Sequence, residues 1–143
     1  MKEVHLNSIF IVDDDPDDRQ VILDAILATN PKLNYQLIEN GEELISRLHA
    51  PEGHYPGLIL LDLNMHGLTG LQTLKEIRKY KAFSQIAIII LTTSSQDSDR
   101  KAAYESGANC FINKPETYSQ LIEMSEAIIK LFLVKEEVLG GKA

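Results

Sequence analysis

Short runs of apolar residues alternate along this chain with longer stretches that have the periodicity of amphipathic helices. The short runs are rich in β-branched residues, as strands are. The predicted strands cover residues 8–12, 35–38, 58–61, 86–91 and 110–112. The predicted helices cover residues 16–29, 42–49, 97–106 and 116–133, and Thr69 is expected to cap a further one. Single helices between such short, apolar strands predict an α/β fold, with a five-stranded parallel sheet covered by helices on both faces.

The start of the first predicted helix carries a dense set of acidic residues. Asp15 is expected to be the N-cap and Pro16 the first helical residue, while Asp17 and Asp18 are favourable acids of the first turn. A well-capped, solvated helix start accounts for Asp17 and Asp18. Asp13 and Asp14, which precede the cap, need another explanation. The buried side of this helix is expected to carry Val21, Ile22, Ala25 and Ile26.

Polar side chains stand where the predicted strands end. Asp13 and Asp14 follow the first strand, and Asp62 follows the third. Thr92 follows the fourth strand, and Lys114 follows the fifth. In open parallel sheets the functional site lies at the carboxyl ends of the strands, so these side chains are expected to meet in one cleft. Neighbouring carboxylates repel one another, and a hard divalent cation such as Mg²⁺ would neutralise them.

Composition and charge limit the classes of protein to which this chain can belong. The chain has 143 residues, of which 44% are apolar and 24% charged, and its formal net charge is −7. These values predict one soluble domain over residues 1–143, with a core at about 8–133, a short tail at 134–143 and no output domain. An acidic chain without a basic stripe is a poor candidate for nucleic-acid binding, and no membrane insertion is expected. The single cysteine, Cys110, excludes an intrachain disulfide and fits a cytoplasmic location.

Several motifs, taken in order, resemble those of the receiver domains of two-component response regulators. The resemblance runs from about residue 8 to residue 133. Its motifs are IVDDDP at 11–16, LLDLNM at 60–65, Gly70, ILTTS at 90–94 and INKP at 112–115. It implies a (βα)5 flavodoxin-like, doubly wound three-layer sandwich. The chain is similar to stand-alone receivers of the chemotaxis-regulator kind, including the bacterial phytochrome-associated subgroup.

The resemblance implies a role for each residue of the acidic cluster. Asp62 would accept a phosphoryl group from the phosphohistidine of a sensor histidine kinase or a histidine phosphotransfer protein. Asp14 would bind Mg²⁺ directly and Asp13 partly through water. Asp62 and the backbone carbonyl of Asn64 would complete the ligands from the protein. A carboxylate can act as the nucleophile that forms an acyl phosphate, which is the chemistry this role requires.

The resemblance also implies residues that hold the phosphoryl group and respond to it. Lys114 would bind one phosphoryl oxygen and pair with Asp62 before transfer, and Thr92 would donate a hydrogen bond to another oxygen. Thr93 matches a position for a small residue beside the phosphoryl group, and Phe111 matches the switch aromatic. The protein would be a phosphoacceptor with self-catalysed transfer and autodephosphorylation rather than an enzyme. It would act on a protein target that the sequence does not name.

Other functions fit parts of the pattern. A phosphatase of the haloacid-dehalogenase type also uses a strand-end aspartate and Mg²⁺. Asp13 and Asp15 fit its motif, but Asp17 stands where threonine or valine is expected. A flavodoxin-like electron carrier would need a loop rich in glycine and hydroxyl groups after the first strand. An EF-hand fails because Asp18 and Asp24 stand where glycine and glutamate are needed. A phosphorylation-independent interaction module is a further alternative.

Two further features carry hypotheses. His66 stands where receivers usually have proline, beside the proposed acceptor, and imidazole titrates near neutral pH. We hypothesise a pH-sensitive rate of phosphorylation or dephosphorylation, which an unchanged pH profile in a His66→Pro variant would contradict. The last helix is apolar on more than one side, which predicts a surface for a partner or a homodimer. Its apolar residues are Leu121, Met124, Ile128, Leu131, Phe132, Val134, Val138 and Leu139.

Overall fold

The computed structural model describes residues 2–133, which form one parallel sheet with helices on both faces. The strands are β1 (Val4–Val12), β2 (Asn34–Ile38), β3 (Tyr55–Leu61), β4 (Ala87–Thr92) and β5 (Cys110–Asn113). The α-helices are α1 (Pro16–Thr29), α2 (Gly41–His49), α3 (Gly70–Ile77), α4 (Asp97–Glu105) and α5 (Tyr118–Phe132). The five strands lie in the order β2-β1-β3-β4-β5, with every pair parallel. The predicted flavodoxin-like α/β sandwich is confirmed.

Alternate side chains of the central strands enter two separate cores, one on each face of the sheet. Successive side chains of a strand point to opposite faces. Val12 and Leu61 therefore belong to the core under α2, α3 and α4, whereas their neighbours Ile11 and Leu60 belong to the core under α1 and α5. Burial on both faces explains why these strands read as continuous apolar runs. Within residues 2–133, no helix has both the length and the apolar character needed to cross a bilayer.

Helix α1 begins as predicted but buries a different set of residues. The side chain of Asp15 accepts hydrogen bonds from the backbone N–H groups of Asp17 and Asp18, at 2.9 and 3.3 Å, and Pro16 is the first helical residue. The prediction that Val21 is buried was wrong, because its exposed fraction is 46%, whereas Leu23 is buried. Leu23 packs with Ile22, Ala25 and Ile26 in the core under α1 and α5.

The strands β1 and β3 extend further toward their amino ends than the sequence predicts. Val4 pairs with Tyr55, and His5 pairs with Pro56. The backbone N–H of Tyr55 also donates to the carbonyl oxygen of Glu3 at 2.8 Å. The predicted strand over residues 58–61 was therefore too short, because proline and glycine at positions 56 and 57 concealed its first part.

The last helix begins at Tyr118 rather than at Glu116, because Thr117 is its N-cap and accepts the N–H of Gln120 at 3.1 Å. Most large apolar residues of this helix face the core under α1 and α5. The exposed large hydrophobic residues among those described in this helix are Leu131, with an exposed fraction of 72%, and Tyr118, with 49%. Residues 134–143, which hold three of the apolar positions, lie outside the described residues, so the partner or homodimer surface stays a prediction.

The guanidinium of Arg78 joins the segments that lead into β4 and β5. It donates to the carbonyl oxygens of Phe83, Ile86 and Gly107, at 3.0, 2.9 and 3.0 Å. It also donates to the side-chain oxygen of Asn109 at 3.0 Å. Partial burial lowers the pKa of Arg78. These bonds tie the end of α3 and the short 3-10 helix Lys81–Phe83, which the sequence did not predict, to the turn before β5.

Candidate functional site

Three carboxylates meet at the carboxyl ends of β1 and β3. Val12 and Leu61 are paired residues at the ends of these adjacent strands, so Asp13 and Asp62 emerge side by side. The backbone N–H of Asp62 donates to the carbonyl oxygen of Val12 at 3.0 Å, which continues the pairing to the site. Asp13, Asp14 and Asp62 each offer a carboxylate oxygen, and these oxygens lie within 4.8 Å of one another. The cluster that the strand-end rule predicted is therefore present.

The ammonium group of Lys114 lies among these carboxylates. Its Nζ atom is 2.9 Å from Oδ2 of Asp13, 3.0 Å from Oδ2 of Asp18 and 3.7 Å from Oδ2 of Asp62. Burial lowers the pKa of Lys114. The hydrogen bonds to Asp13 and Asp18 and the charge of Asp62 together raise it by a larger amount, so the net shift is upward. The amine is thus held as a cation and shared by three acids rather than paired with Asp62 alone.

Asp18 is a residue of the site that the sequence interpretation missed. It was assigned only to the first turn of α1, and it does lie there. Its side chain also reaches Lys114, at a sequence separation of 96 residues. The available signal was its place at the first turn of a helix that starts from the strand end, since that turn borders the cleft.

The side chain of Asp62 is almost fully enclosed, with a residue exposure of 8%. Burial raises its pKa from 3.8 to about 6, partly offset by the charge of Lys114, while the charge of Asp13 raises it again. Without a further cation, ionised Asp62 is therefore held at an energetic cost.

We expect Asp62→Asn to stabilise the metal-free protein near neutral pH. The pKa of Asp62 is about 6 in the folded protein and 3.8 ordinarily, so folding favours the neutral carboxyl group. The contribution of this group to the free energy of unfolding is therefore lost as the pH rises through 6. At about pH 8 the variant should gain on the order of 2 kcal/mol in free energy of unfolding, and the gain should shrink toward about pH 4. Urea unfolding of parent and variant in the presence of a chelator measures the gain at both pH values. The same difference in free energy of unfolding at both pH values would contradict the prediction.

The donor set fits a hard divalent cation. Two of the carboxylates, those of Asp13 and Asp62, are buried, and within residues 2–133 Lys114 is the lysine or arginine that forms ion pairs with them. Carboxylate oxygens are ligands that Mg²⁺ prefers. Asn64 lies two residues beyond Asp62, to which its backbone N–H donates at 3.3 Å. The contribution of the Asn64 carbonyl to a metal stays a prediction.

The predicted hydroxyl and small-residue positions, Thr92 and Thr93, lie at the carboxyl end of β4, which is next to β3 in the sheet. Thr92 is the last residue of β4 and is fully buried. Its Oγ1 accepts the backbone N–H of Ser94 at 3.2 Å. Thr93, the next residue, is exposed. The sheet therefore carries Thr92 to the same edge as Asp62, and the roles of Thr92 and Thr93 stay predictions.

Phe111 lies in β5 with its side chain directed into the core under α2, α3 and α4, and 4% of it is exposed. Two residues of α4, Arg100 and Tyr104, contact it. The position is compatible with a switch aromatic in its inward orientation, and the switch role stays a prediction.

Gly70 lets the backbone after β3 pass close to the start of α3. A Cβ atom at this position would lie 2.2 Å from the carbonyl oxygen of Asp62 and 2.7 Å from Cα of Leu63. The N–H of Gly70 donates to the carbonyl of Leu63 at 2.9 Å. A side chain here would displace the backbone that carries the proposed acceptor.

His66 contacts the acidic cluster through both its backbone and its ring. Its N–H donates to Oδ2 of Asp14 at 3.0 Å, and Nδ1 lies 2.8 Å from the same oxygen. The backbone hydrogen bond is the largest cause of a lowered pKa at Asp14, and the ring adds to it. The geometry thus couples His66 to a proposed metal ligand.

We expect His66→Gln to flatten the pH profile of phosphorylation. The ring lies 2.8 Å from Oδ2 of Asp14, and imidazole in model peptides changes charge near neutral pH, so the parent rate should fall more than the variant rate between about pH 8 and pH 6. Initial rates with acetyl phosphate at subsaturating Mg²⁺ measure this. Gln keeps the backbone donor, which proline removes, and is the better matched change. Parallel profiles for parent and variant would contradict the hypothesis.

Two cavities lie at opposite ends of the strands. A cleft of about 450 Å³ borders the acidic cluster and is lined by Asp14, Asp15, Glu39, Asn40 and His66. A larger one, of about 750 Å³, opens at the amino ends of β1 and β3 and includes His5, His49 and His54. The rings of His5 and His54 stack with their centroids 3.9 Å apart. This larger cavity lies away from the carboxylates and Lys114.

Comparisons with known proteins agree with this geometry. The family model described as the response regulator receiver domain matches residues 9–126. Response regulator Rcp1 of Synechocystis sp. (strain ATCC 27184 / PCC 6803 / Kazusa) is 28% identical over 130 residues, which cover 87% of this chain and 88% of that protein. Transcriptional regulatory protein BaeR of Escherichia coli O6:H1 is 31% identical over 122 residues, covering 85% of this chain and 48% of BaeR.

Solved structures give the same assignment. The phosphorylated cyanobacterial phytochrome response regulator RcpA has a TM-score of 0.80 and 28% identity, covering 88% of this chain and 93% of that one. The Mn²⁺-bound form of response regulator Rcp1 has a TM-score of 0.78 and 26% identity, covering 88% and 94%. This chain belongs to the receiver domain family of two-component response regulators.

Proposed function

We propose that this protein accepts a phosphoryl group on Asp62 from a phosphohistidine and signals to a protein partner by changing shape. The observation that carries the proposal is the strand-end cluster, in which oxygens of Asp13, Asp14 and Asp62 lie within 4.8 Å of one another. Lys114 lies 3.7 Å from Asp62 in the same cluster. A carboxylate nucleophile with cations beside it is what transfer of a phosphoryl group to aspartate requires.

In the transfer step, an oxygen of Asp62 attacks phosphorus in line with the P–N bond of the phosphohistidine. The P–O bond forms as the P–N bond breaks, and the imidazole leaves with a proton taken from solvent. Lys114 then binds a phosphoryl oxygen through its ammonium group. Asp13, Asp14, Asp62 and the Asn64 carbonyl would hold Mg²⁺, which would supply positive charge to neutralise the transferring oxygens.

The response begins at Thr92. Its Oγ1 accepts the N–H of Ser94, and its own hydrogen is not used in that contact. The phosphoryl group adds roughly −1.5 to −2 charge and new acceptor oxygens, to which Thr92 can donate. Exposed Thr93 would leave room for the donor protein, and movement of Thr92 toward the phosphoryl group would vacate space for the ring of Phe111. This is a local charge event acting on a two-state element.

The proposed donor is a sensor histidine kinase or a histidine phosphotransfer protein. Similarity to RcpA, a phytochrome response regulator by its description, supports a kinase of the phytochrome kind. The net charge of −7 favours a protein target over nucleic acid. We propose that residues 1–143 act as one receiver domain in the cytoplasm, that transfer and autodephosphorylation are self-catalysed rather than enzymatic, and that a homodimer is one form of output.

Incubation with Mg²⁺ and acetyl phosphate, followed by intact mass measurement, tests this function. One phosphoryl group per chain that is lost slowly is the expected result. Continuous release of phosphate from phosphomonoesters would favour the phosphatase alternative instead. If neither acetyl phosphate nor a histidine kinase phosphorylates the protein, the results would favour a phosphorylation-independent interaction module.

A further inference from the structure

The larger of the two cavities, at the amino ends of β1 and β3, has aromatic side chains in its walls. Its volume of about 750 Å³ is within the range of small-molecule sites. Tyr55 and Phe83 form its buried part, with their ring centroids 5.4 Å apart and an angle of 87° between the rings. Tyr80, which is 40% exposed, extends this wall outward, and its ring centroid lies 5.5 Å from that of Phe83. Ring surfaces at the base and at the rim favour a planar aromatic ligand.

The same cavity holds a cation that has no acidic partner among the described residues. The Nζ atom of Lys2 donates to the backbone carbonyl oxygens of Arg47 and Glu52, each at 3.2 Å, and lies 5.0 Å from the ring centroid of Tyr55. These carbonyl groups fix the ammonium but carry no net charge, and within residues 2–133 Lys2 forms no ion pair. An ammonium group has three N–H donors, so one remains for an acceptor on a ligand.

Three imidazole rings also line the cavity. The rings of His5 and His54 stack at an angle of 8°, and the ring centroid of His49 lies 4.6 Å from that of Tyr80. Among the histidines of residues 2–133, His66 is the one whose ring hydrogen-bonds to another described residue. The nitrogens of the three rings at the cavity are therefore available to a ligand.

The charge of the cavity depends on pH. The titratable groups on its lining are Lys2, exposed Glu3, the three histidines and two tyrosines, and Glu52 lies close to Lys2. Imidazole in model peptides gains a proton just below neutral pH, so the cavity becomes more positive toward pH 6. Burial and the nearness of His5 and Lys2 lower the pKa of His54, which opposes a second positive charge there unless an anion is present.

We propose that this cavity binds a planar aromatic anion, with its ring against Tyr80 and Phe83 and its acidic group at Lys2 and the stacked histidines. The anion gains a charge-assisted hydrogen bond from the ammonium group, and protonated imidazole adds to the attraction. Binding therefore strengthens as the pH falls. The inference goes beyond the proposed function and does not rest on it, because the cavity lies at the opposite end of the strands from Asp62.

The test uses 2-naphthoate as the probe and 2-naphthylmethylamine, a cation with the same ring system, as its matched control. Isothermal titration calorimetry at pH 6 and pH 8 measures both, with a chelator present so that no metal at the acidic cluster recruits the carboxylate. We expect naphthoate to bind about threefold more tightly at pH 6 than at pH 8. At pH 6 the amine should bind roughly tenfold more weakly than naphthoate.

Substitutions on the two walls separate recognition of the ring from recognition of the charge. Lys2→Gln should weaken binding of naphthoate roughly fivefold, because the cation is lost. Tyr80→Ala should weaken binding of naphthoate and of the amine alike, whereas Tyr80→Phe keeps the ring and should bind as the parent does. His54→Gln should reduce the difference between pH 6 and pH 8. Lys101→Gln, which removes an exposed lysine of α4 outside the cavity, should leave binding unchanged.

Three results would overturn the proposal: no binding of naphthoate at millimolar concentration, equal affinity for naphthoate and the amine, or equal losses in Lys2→Gln and Lys101→Gln. A further arm places the probe in the molecule and separates this inference from the proposed function. Asp62→Asn should bind naphthoate as the parent does, and a changed affinity in this variant would place the probe at the acidic cluster and overturn the proposal. A failure of Asp62 to accept a phosphoryl group would leave these binding results unaltered.

Discussion

An Asp62→Asn variant is expected to take up no phosphoryl group from acetyl phosphate or from a histidine kinase, while the parent takes up one. The amide lacks the negative charge and the nucleophilic oxygen that attack phosphorus. Its oxygen can still accept the N–H of Asn64, which Asp62 accepts at 3.3 Å, so the local backbone should be kept. Intact mass after incubation with Mg²⁺ measures the difference, and the rate should fall by at least about a thousandfold.

The matched control is Asp24→Asn, an exposed aspartate of α1 outside the cluster. It should load at the parent rate. Omitting Mg²⁺ should slow the parent strongly and leave the Asp62→Asn variant unloaded. A phosphoryl group on the variant would show that another side chain is the acceptor, and Asp13 and Asp14 would be the next residues to replace.

Replacing Arg78 by methionine is expected to lower the free energy of unfolding by about 3 kcal/mol or more. The guanidinium donates to three carbonyl oxygens and to Asn109, and methionine fills much of the space while donating nothing. The acceptors would lose their partners in a region that is partly closed to water. Urea denaturation at neutral pH measures the loss, which should appear as a lower midpoint with an unchanged slope.

Two arginine variants make this prediction specific. Arg78→Lys keeps the charge but has one donor group, which cannot reach acceptors in several directions, so an intermediate loss is expected. Arg47→Met removes a more exposed guanidinium that contacts Glu43 and Gln36, and should cost less than about 1 kcal/mol. Equal losses for Arg78→Met and Arg47→Met would contradict the assigned role of Arg78.

The central features of the site could be predicted because they follow from topology. Apolar runs predicted the carboxyl ends of all five strands to within one residue, and parallel strands bring their carboxyl ends to one edge. Asp13, Asp62 and Lys114 were placed in one cleft by that rule, and the structure brings them together. The cap of α1 was equally readable, since capping depends on neighbours in the chain.

Contacts across the fold could not be predicted in the same way. The pairing of Asp18 with Lys114, the contact of Arg100 with Phe111 and the bonds of Arg78 each join residues on different elements. Their partners depend on rotamers and on the distance between packed elements, which residue patterns do not encode. The amino ends of β1 and β3 were missed for a related reason, because polar residues and proline there form strand only through mutual pairing.

The hydrogen bond between Lys114 and Asp13 spans 101 positions of the chain. During synthesis the three aspartates therefore leave the ribosome well before the lysine that completes their charge balance. A nascent chain that ends before β5 has a nucleophile but neither the ammonium group nor the fifth strand beside it. The charge balance at the three aspartates is thus completed only when the last strand of the sheet has been made.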